Sequence, residues 1–376
     1  MNERERYMAT LRFERPDRVP YDPGHGREST LAAWHTQGLP PHVTDYHTYI
    51  RKSIGVSDEA VSHMDRVDYG VAFTMIPEFE EKIIEERANS RVVQDWKGNI
   101  CEIGKEFTPR YLRWAPDFVT RTWIKCPVET REDWPDIARR YDPDDPQRWP
   151  DDFDARCRQL RDRDYLIGLG FPGPFWQLRE WLGFENLCML FLDDPAFVRD
   201  MIDLWRRFVA TLLERIFAAE PPDYIMINED MAYKQHAMIS PDMCREFLSP
   251  TWRHWGSLCK NAGVFYEVDS DGFIEELVPV WLEAGIQSNS PVEVAAGNDL
   301  PAMRKRFDTR MAYRGGIDKR AIAAGGQTLC DEIARLKPVI DAGGYVPSCD
   351  HGVPADVAWP NFVEYCRQLA QVTGWL

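Results

Sequence analysis

Residues 194–230 read DPAFVRDMIDLWRRFVATLLERIFAAEPPDYIMINED. Phe197, Val198, Met201, Ile202, Trp205, Phe208, Val209, Leu212, Leu213 and Ile216 recur at helical spacing and make one apolar face, with Arg206, Arg207 and Glu214 off it. Asp194-Pro195 supplies a start, because proline suits the first helical position. A short Pro-Pro turn follows, then Tyr224–Asn228 (YIMIN) and two acids. A long amphipathic helix handing over to a short apolar run is half of a βαβ unit.

The same alternation runs outward from this stretch. Short apolar runs stand at Tyr165–Phe171 (YLIGLGF), Val264–Val268 (VFYEV), Ile286–Ser290 (IQSNS), Met311–Arg314 (MAYR) and Tyr345–Pro347 (YVP). Helical patterns lie between most of them. Ser240-Pro241-Asp242 reads as a helix start, Pro250 kinks or divides that segment, and Gly263 stops it. Gln327–Asp341 reads as another helix, closed by Gly343-Gly344. Six strands follow residue 160, and two more are expected at Arg18–Tyr21 (RVPY) and Tyr69–Met75 (YGVAFTM). Eight parallel strands would close a (β/α)8 barrel of TIM type. A doubly wound open sheet is the other α/β arrangement, but no GxGxxG follows a strand. Residues 1–376 read as a single barrel domain, irregular to about 160 and regular from about 161. Segments such as Tyr141–Pro150 read as turns and loop.

Composition narrows the class. The 376 residues are 44% hydrophobic and 28% charged, ordinary for a globular chain. No apolar run approaches the ~18 residues that cross a bilayer, and the charged start MNERERYMATLRFERPDRVP lacks a signal core. A cytoplasmic protein is the expectation. The nine cysteines form no CxxC pair and suit buried thiols rather than a disulfide framework. A net charge of −16 disfavours nucleic acid and anionic membranes as partners and leaves a small-molecule substrate.

In a barrel, chemistry gathers just past the carboxyl ends of the strands. There the sequence places Glu229 and Asp230, then Asp269, Ser270 and Asp271, then Asn289 with Glu293 beyond, then Asp318, and finally Cys349, Asp350 and His351. Two like charges ~5 Å apart repel by roughly 3 kcal/mol at an effective dielectric near 20. Such a rim needs a cation, a shared proton or wide separation. A divalent metal on Asp269, Asp271 and His351 meets the first need, with Zn2+ competent for such ligands and harder ions too. Glu229 would then be a fourth ligand or a general base, and Asp230 its catalytic neighbour. The bland reading is that strand-end acids cap the next helix and Asp271-Gly272 is a turn. His25 and Arg27, glycine-flanked after the first expected strand, or Arg179 would orient an anionic substrate group. Tyr266 and Asn289 are further substrate-binding candidates, although tyrosines such as Tyr266 and Tyr313 also suit barrel packing.

Several stretches together resemble the uroporphyrinogen decarboxylase superfamily. They are RERYMATLRFERPDRVPYDPG, GPFWQLREWLGFENLCMLFLDDPAFV, ISPDMCREFLSP, VDSDGFIEELVPVWLEAGI, PVEVAAGNDLPAMRKRF, GGIDKRAI and GGYVPSCDHGVPADVAWPNFVEY. The resemblance spans nearly the whole chain in motif order, and implies a (β/α)8 barrel with its cleft at the strand ends. True decarboxylases of the family hold an eight-carboxylate porphyrinogen with the arginines of an RQAGR-type motif and need no cofactor. Here Gly24–Glu28 (GHGRE) is at best an echo of that motif. The methyltransferase branch moves methyl groups between a corrinoid and a thiol, and binds zinc through a His-x-Cys pair and a distant cysteine. Asp269-Ser270-Asp271 stands at the His-x-Cys position, with His351 near the distant cysteine. The resemblance therefore implies metal-dependent methyl transfer or demethylation, with a corrinoid as methyl donor or acceptor, a corrinoid protein as partner and a homodimer as an assembly common among relatives. Two alternatives stay open: a cofactor-free decarboxylase, and a non-catalytic binding subunit of a methyl-transfer system.

Overall fold

A computed structural model describes residues 1–62, 64–114, 117 and 119–376. Its strands form two sheets. The first is antiparallel, with β1 (Lys82–Glu86), β2 (Ser90–Gln94), β3 (Ile100–Gly104) and β4 (Thr122–Lys125) in sequential order. The second holds β5 (Gly168–Pro172), β6 (Tyr224–Asn228), β7 (Phe265–Asp269), β8 (Ser288–Ser290), β9 (Ala312–Ile317) and β10 (Tyr345–Cys349). These six are all parallel and neighbour one another in chain order. A doubly wound sheet would reverse its order at a switch point. This one keeps its order throughout, so it is not doubly wound.

The expected eight strands are not all present among the described residues. Residues 18–21 and 69–75 form no ladder. In the first segment Pro20 lacks a ladder donor, and Val19 is tied instead to the C-terminus, its N–H to Thr373 O at 3.2 Å and its carbonyl to Trp375 Nε1 at 2.9 Å. In the second, the backbone is claimed by Arg148, whose guanidinium donates to Ala72 O (3.1 Å) and Thr74 O (2.7 Å). No ladder joins β5 to β10. The regular half is therefore a six-stranded parallel sheet with helices between its strands. The N-terminal part is less irregular than its sequence suggests, because β1–β4 lie inside it.

The helices follow from their residues. Pro195–Ala219 starts on Asp194, whose side chain accepts from Phe197 N at 3.1 Å, and all ten of its apolar-face residues are buried. The segment after Ser240 divides at Pro250 as expected, through a π-helical turn into Ser249–Ala262, and ends at Gly263 with φ +72°. Gly326–Ala342 covers β9 and β10 and ends at Gly343. The N-terminal helix Glu3–Leu11 closes the amino-terminal end of the parallel sheet. Its Tyr7, Met8 and Leu11 pack with Phe265, Ala312 and Val346, each at or near the start of a strand. That seal leaves the opposite end, where the strands finish, as the open one. No helix among the described residues is long and apolar enough to cross a membrane.

Candidate active site

At the carboxyl ends of the strands lies a cavity of about 360 Å3. Period-two alternation sends Glu267 and Asp269 of β7, Ser288 and Ser290 of β8 and Arg314 of β9 to the inner face. Deepest is a polar layer. Arg314 meets Glu267 at 3.3 Å, donates to Ser290 Oγ at 3.2 Å and contacts Tyr7 Oη at 3.3 Å, and Ser288 Oγ donates to Glu267 at 2.5 Å. Above it the cavity is lined by Asp22, His25, Asp230, Asp269, Asp271, Ser290, Ser348, Cys349 and His351.

The sharpest feature is a chain of three side chains. His351 Nε2 lies 3.2 Å from Asp271 Oδ2, and Arg27 Nη2 lies 3.1 Å from His351 Nδ1. An arginine only donates, so this contact makes Nδ1 an acceptor and places the imidazole proton on Nε2, facing Asp271. The two neighbours oppose each other. Hydrogen bonding to Asp271 raises the His351 pKa, while burial and the positive charges of Lys319 and Arg27 lower it, and the rise prevails. Protonating Nδ1 requires Arg27 to turn away.

The carboxylates are poorly compensated. Asp269 is held well above the usual range, first by desolvation and then by Asp230 and Asp271. Asp230 is raised by burial and by Asp271. Asp230 also adopts φ +38°, a left-handed conformation that aspartate tolerates better than most residues. Its Oδ1 accepts from Asp271 N at 3.2 Å, so the β6 and β7 ends are tied together. Gly272, with φ +82°, follows Asp271 where any Cβ would collide with the Ala232 carbonyl. Gly24, with φ +82°, lets the 22–26 loop approach Cys349. Burial pushes the Cys349 thiol up to about 12, which leaves it a neutral thiol rather than a thiolate.

The structure brings His25, Asp230, Asp269, Asp271 and His351 together, with Arg27 behind the histidine. It does not bring Glu229 there. Glu229 is fully buried and accepts from Phe175 N (2.9 Å), Trp176 N (3.1 Å) and Trp252 Nε1 (2.6 Å), which anchors the start of helix Pro174–Leu182. Burial pushes its carboxyl up to about 8, against those three donors. Arg179 donates to the Asp230 carbonyl at 2.9 Å and lies over Trp176, outside the cavity lining. Tyr266 and Asn289 point to the opposite face of the sheet and are buried there. Asp350 accepts from Val294 N and Lys319 N, as a cross-link between loops. The expected metal triad is not assembled. Among the described residues no three His, Cys, Asp or Glu side chains are grouped to hold a metal ion, and Asp271 and His351 engage each other instead. Asp22 and Arg314 join the site beyond the residues expected from the sequence, although each closes or follows an apolar run as the expected acids do.

No family model matches the chain, and no curated protein matches it. Among solved structures it is similar to a methyltransferase from Methanosarcina mazei, at 15% identity and a TM-score of 0.60, over 100% of this chain and 98% of that one. It is also similar to a B12-independent methionine synthase from Shewanella, at 12% identity and a TM-score of 0.44, over 95% and 97%. The first likeness shows a shared fold.

Proposed function

We propose that this chain, which shares its fold with a methyltransferase, is itself an enzyme of methyl transfer, with its chemistry in the strand-end cavity and His351 and Asp271 as its acid–base pair. The observation that carries this reading is the Arg27–His351–Asp271 chain on the cavity wall. Methyl transfer breaks a carbon–heteroatom bond, leaves the electron pair on the departing atom and takes a new pair from the acceptor. A proton held between His351 Nε2 and Asp271 Oδ2 is available to that departing atom, and a positioned acid of this kind contributes ~10²–10⁴-fold to rate. The family resemblance points to a corrinoid or a thiol as acceptor.

The cavity suits a small substrate, since its 360 Å3 falls at the low end of the ~300–1,000 Å3 typical of ligand sites. Decarboxylation of a polyanionic porphyrinogen is the weaker reading. Such a substrate needs converging arginines, and among the described lining residues Arg314 is the one arginine, already paired with Glu267. Among the described residues the donors are not grouped to hold a metal ion, so this reading rests on the acid–base pair.

The test uses cob(I)alamin as acceptor with a panel of O-, N- and S-methylated small molecules, read by the absorbance of methylcobalamin. Transfer is expected from at least one donor, falling ~100-fold or more in His351→Ala. Transfer indifferent to that substitution, or stoichiometric zinc in protein purified without chelator and required for turnover, overturns the reading.

A further inference from the structure

We propose that the cavity takes a small organic cation carrying N–H groups, a protonated alkylamine, held between Asp230, Asp269 and Asp271. This names the substrate class for the site described above and rests on placing the chemistry there.

The acids of the cavity outnumber the cations that pair with them. Of the three basic side chains that line the cavity, Arg314 is engaged with Glu267 at 3.3 Å, His351 with Asp271 at 3.2 Å and His25 with His47 at 3.1 Å. Three lining carboxylates remain without a hydrogen-bonded cation among the described residues. Asp22 Oδ1 accepts from Gly24 N at 3.1 Å, and Asp230 Oδ1 from Asp271 N at 3.2 Å. The Asp269 carboxylate accepts no hydrogen bond from any described residue, its carbonyl alone being bonded, to Glu229 N and Asp230 N, although it ends β7 on the inner face and lines the cavity. A desolvated carboxylate without a partner is costly, so a site built with one is built for a group that supplies the partner. Arg179, a further cation beside Asp230, is turned to that residue's carbonyl rather than its carboxylate.

The lining also selects the kind of cation. Quaternary ammonium groups have no N–H and are recognised by aromatic faces. Among the described residues, no Trp, Tyr or Phe lines this cavity. Its acceptors are carboxylate and hydroxyl oxygens, Asp230, Asp269, Asp271, Ser290 and Ser348, which match a donor of several N–H bonds. The ion pairs so formed are part-buried and bring charge-assisted hydrogen bonds to the acids that lack them.

Isothermal titration of the full chain against methyl-, dimethyl-, trimethyl- and tetramethylammonium, with 2-propanol as a neutral shape match for trimethylammonium, tests this. The expected result is binding of the three N–H cations at least tenfold tighter than tetramethylammonium or 2-propanol, lost at least tenfold in Asp269→Asn. Asp230→Asn is measured in parallel, so a folding defect in one variant does not decide the matter. Equal affinity for the neutral match or for tetramethylammonium, preference for an anion such as methanesulfonate, or unchanged affinity in both folded variants overturns the proposal. Binding without methyl transfer would keep this inference and remove the reading above. Transfer from neutral donors with no cation affinity would do the reverse.

Discussion

His351 is the residue on which the chemistry turns, and its two neighbours make opposite predictions. Asp271 raises its pKa, so Asp271→Asn lowers it. Arg27 holds Nδ1 as an acceptor and repels the imidazolium, so Arg27→Ala raises it. Shifts of about one unit or more in each direction are expected for charges this close, read from the imidazole Cε1–H resonance across pH. Because the folded pKa lies above the ordinary 6.5, the pair stabilises the fold below that value, and the benefit fades as pH rises through the folded value. Both side chains are about a third exposed, so solvent screens this contribution and keeps it small. Glu229 is the contrasting case. It looked catalytic because it stands at a strand end, yet its oxygens face three N–H donors of the protein's own interior. Glu229→Ala is expected to cost ~3–5 kcal/mol of stability by leaving those donors unpaired, seen as a fall in the denaturant midpoint. If stability is unchanged while methyl transfer vanishes, the structural role assigned here is wrong. Its carboxyl, pushed up to about 8, also stabilises most below about 4.5 and progressively less as pH rises through 8.

At the scale of elements, the helix Glu3–Leu11 seals one end of the sheet and so fixes which end can open. Leu11 is 2% exposed against Phe265, Ala312 and Val346. Leu11→Ala is expected to cost about 2–5 kcal/mol in chemical denaturation, with cation affinity per folded molecule unchanged. A loss of affinity in the folded variant would mean that the seal shapes the cavity directly. The elements that the sequence made legible were those whose burial imposes a period. Pro195–Ala219 shows its face because one side is buried, and YIMIN shows because Ile225 and Ile227 alternate into the core while the residues between them stay half-buried. The antiparallel sheet was hidden for the converse reason. All five residues of β1 and all four of β4 are exposed, so nothing forces alternation on them. The two early barrel strands failed because Pro20 and Arg148 take the backbone out of any ladder, and a distant arginine's choice of carbonyls leaves no local trace. The acids of the site were legible as strand-end residues. Whether each turned inward or into a helix start was not, since that depends on which backbone N–H groups lie across the gap.

For the whole molecule, the consequence is a division of labour between two ends of one sheet. The strand starts are apolar and plugged, while the strand ends collect charge from β6, β7, β9 and the loops after residue 21 and after β10. A chain with net charge −16 already draws cations and repels anions, and the cavity concentrates that bias in a small volume. Affinity for alkylammonium ions should accordingly weaken as ionic strength rises, whereas binding of a neutral ligand should not. The most direct measurement is the position of dimethylammonium in a crystal structure of the protein grown with that salt. The account predicts the ion within hydrogen-bond distance of Asp269 and of Asp230 or Asp271, beside His351. An ion seated elsewhere, or a metal bridging Asp269, Asp271 and His351 in its place, would contradict it.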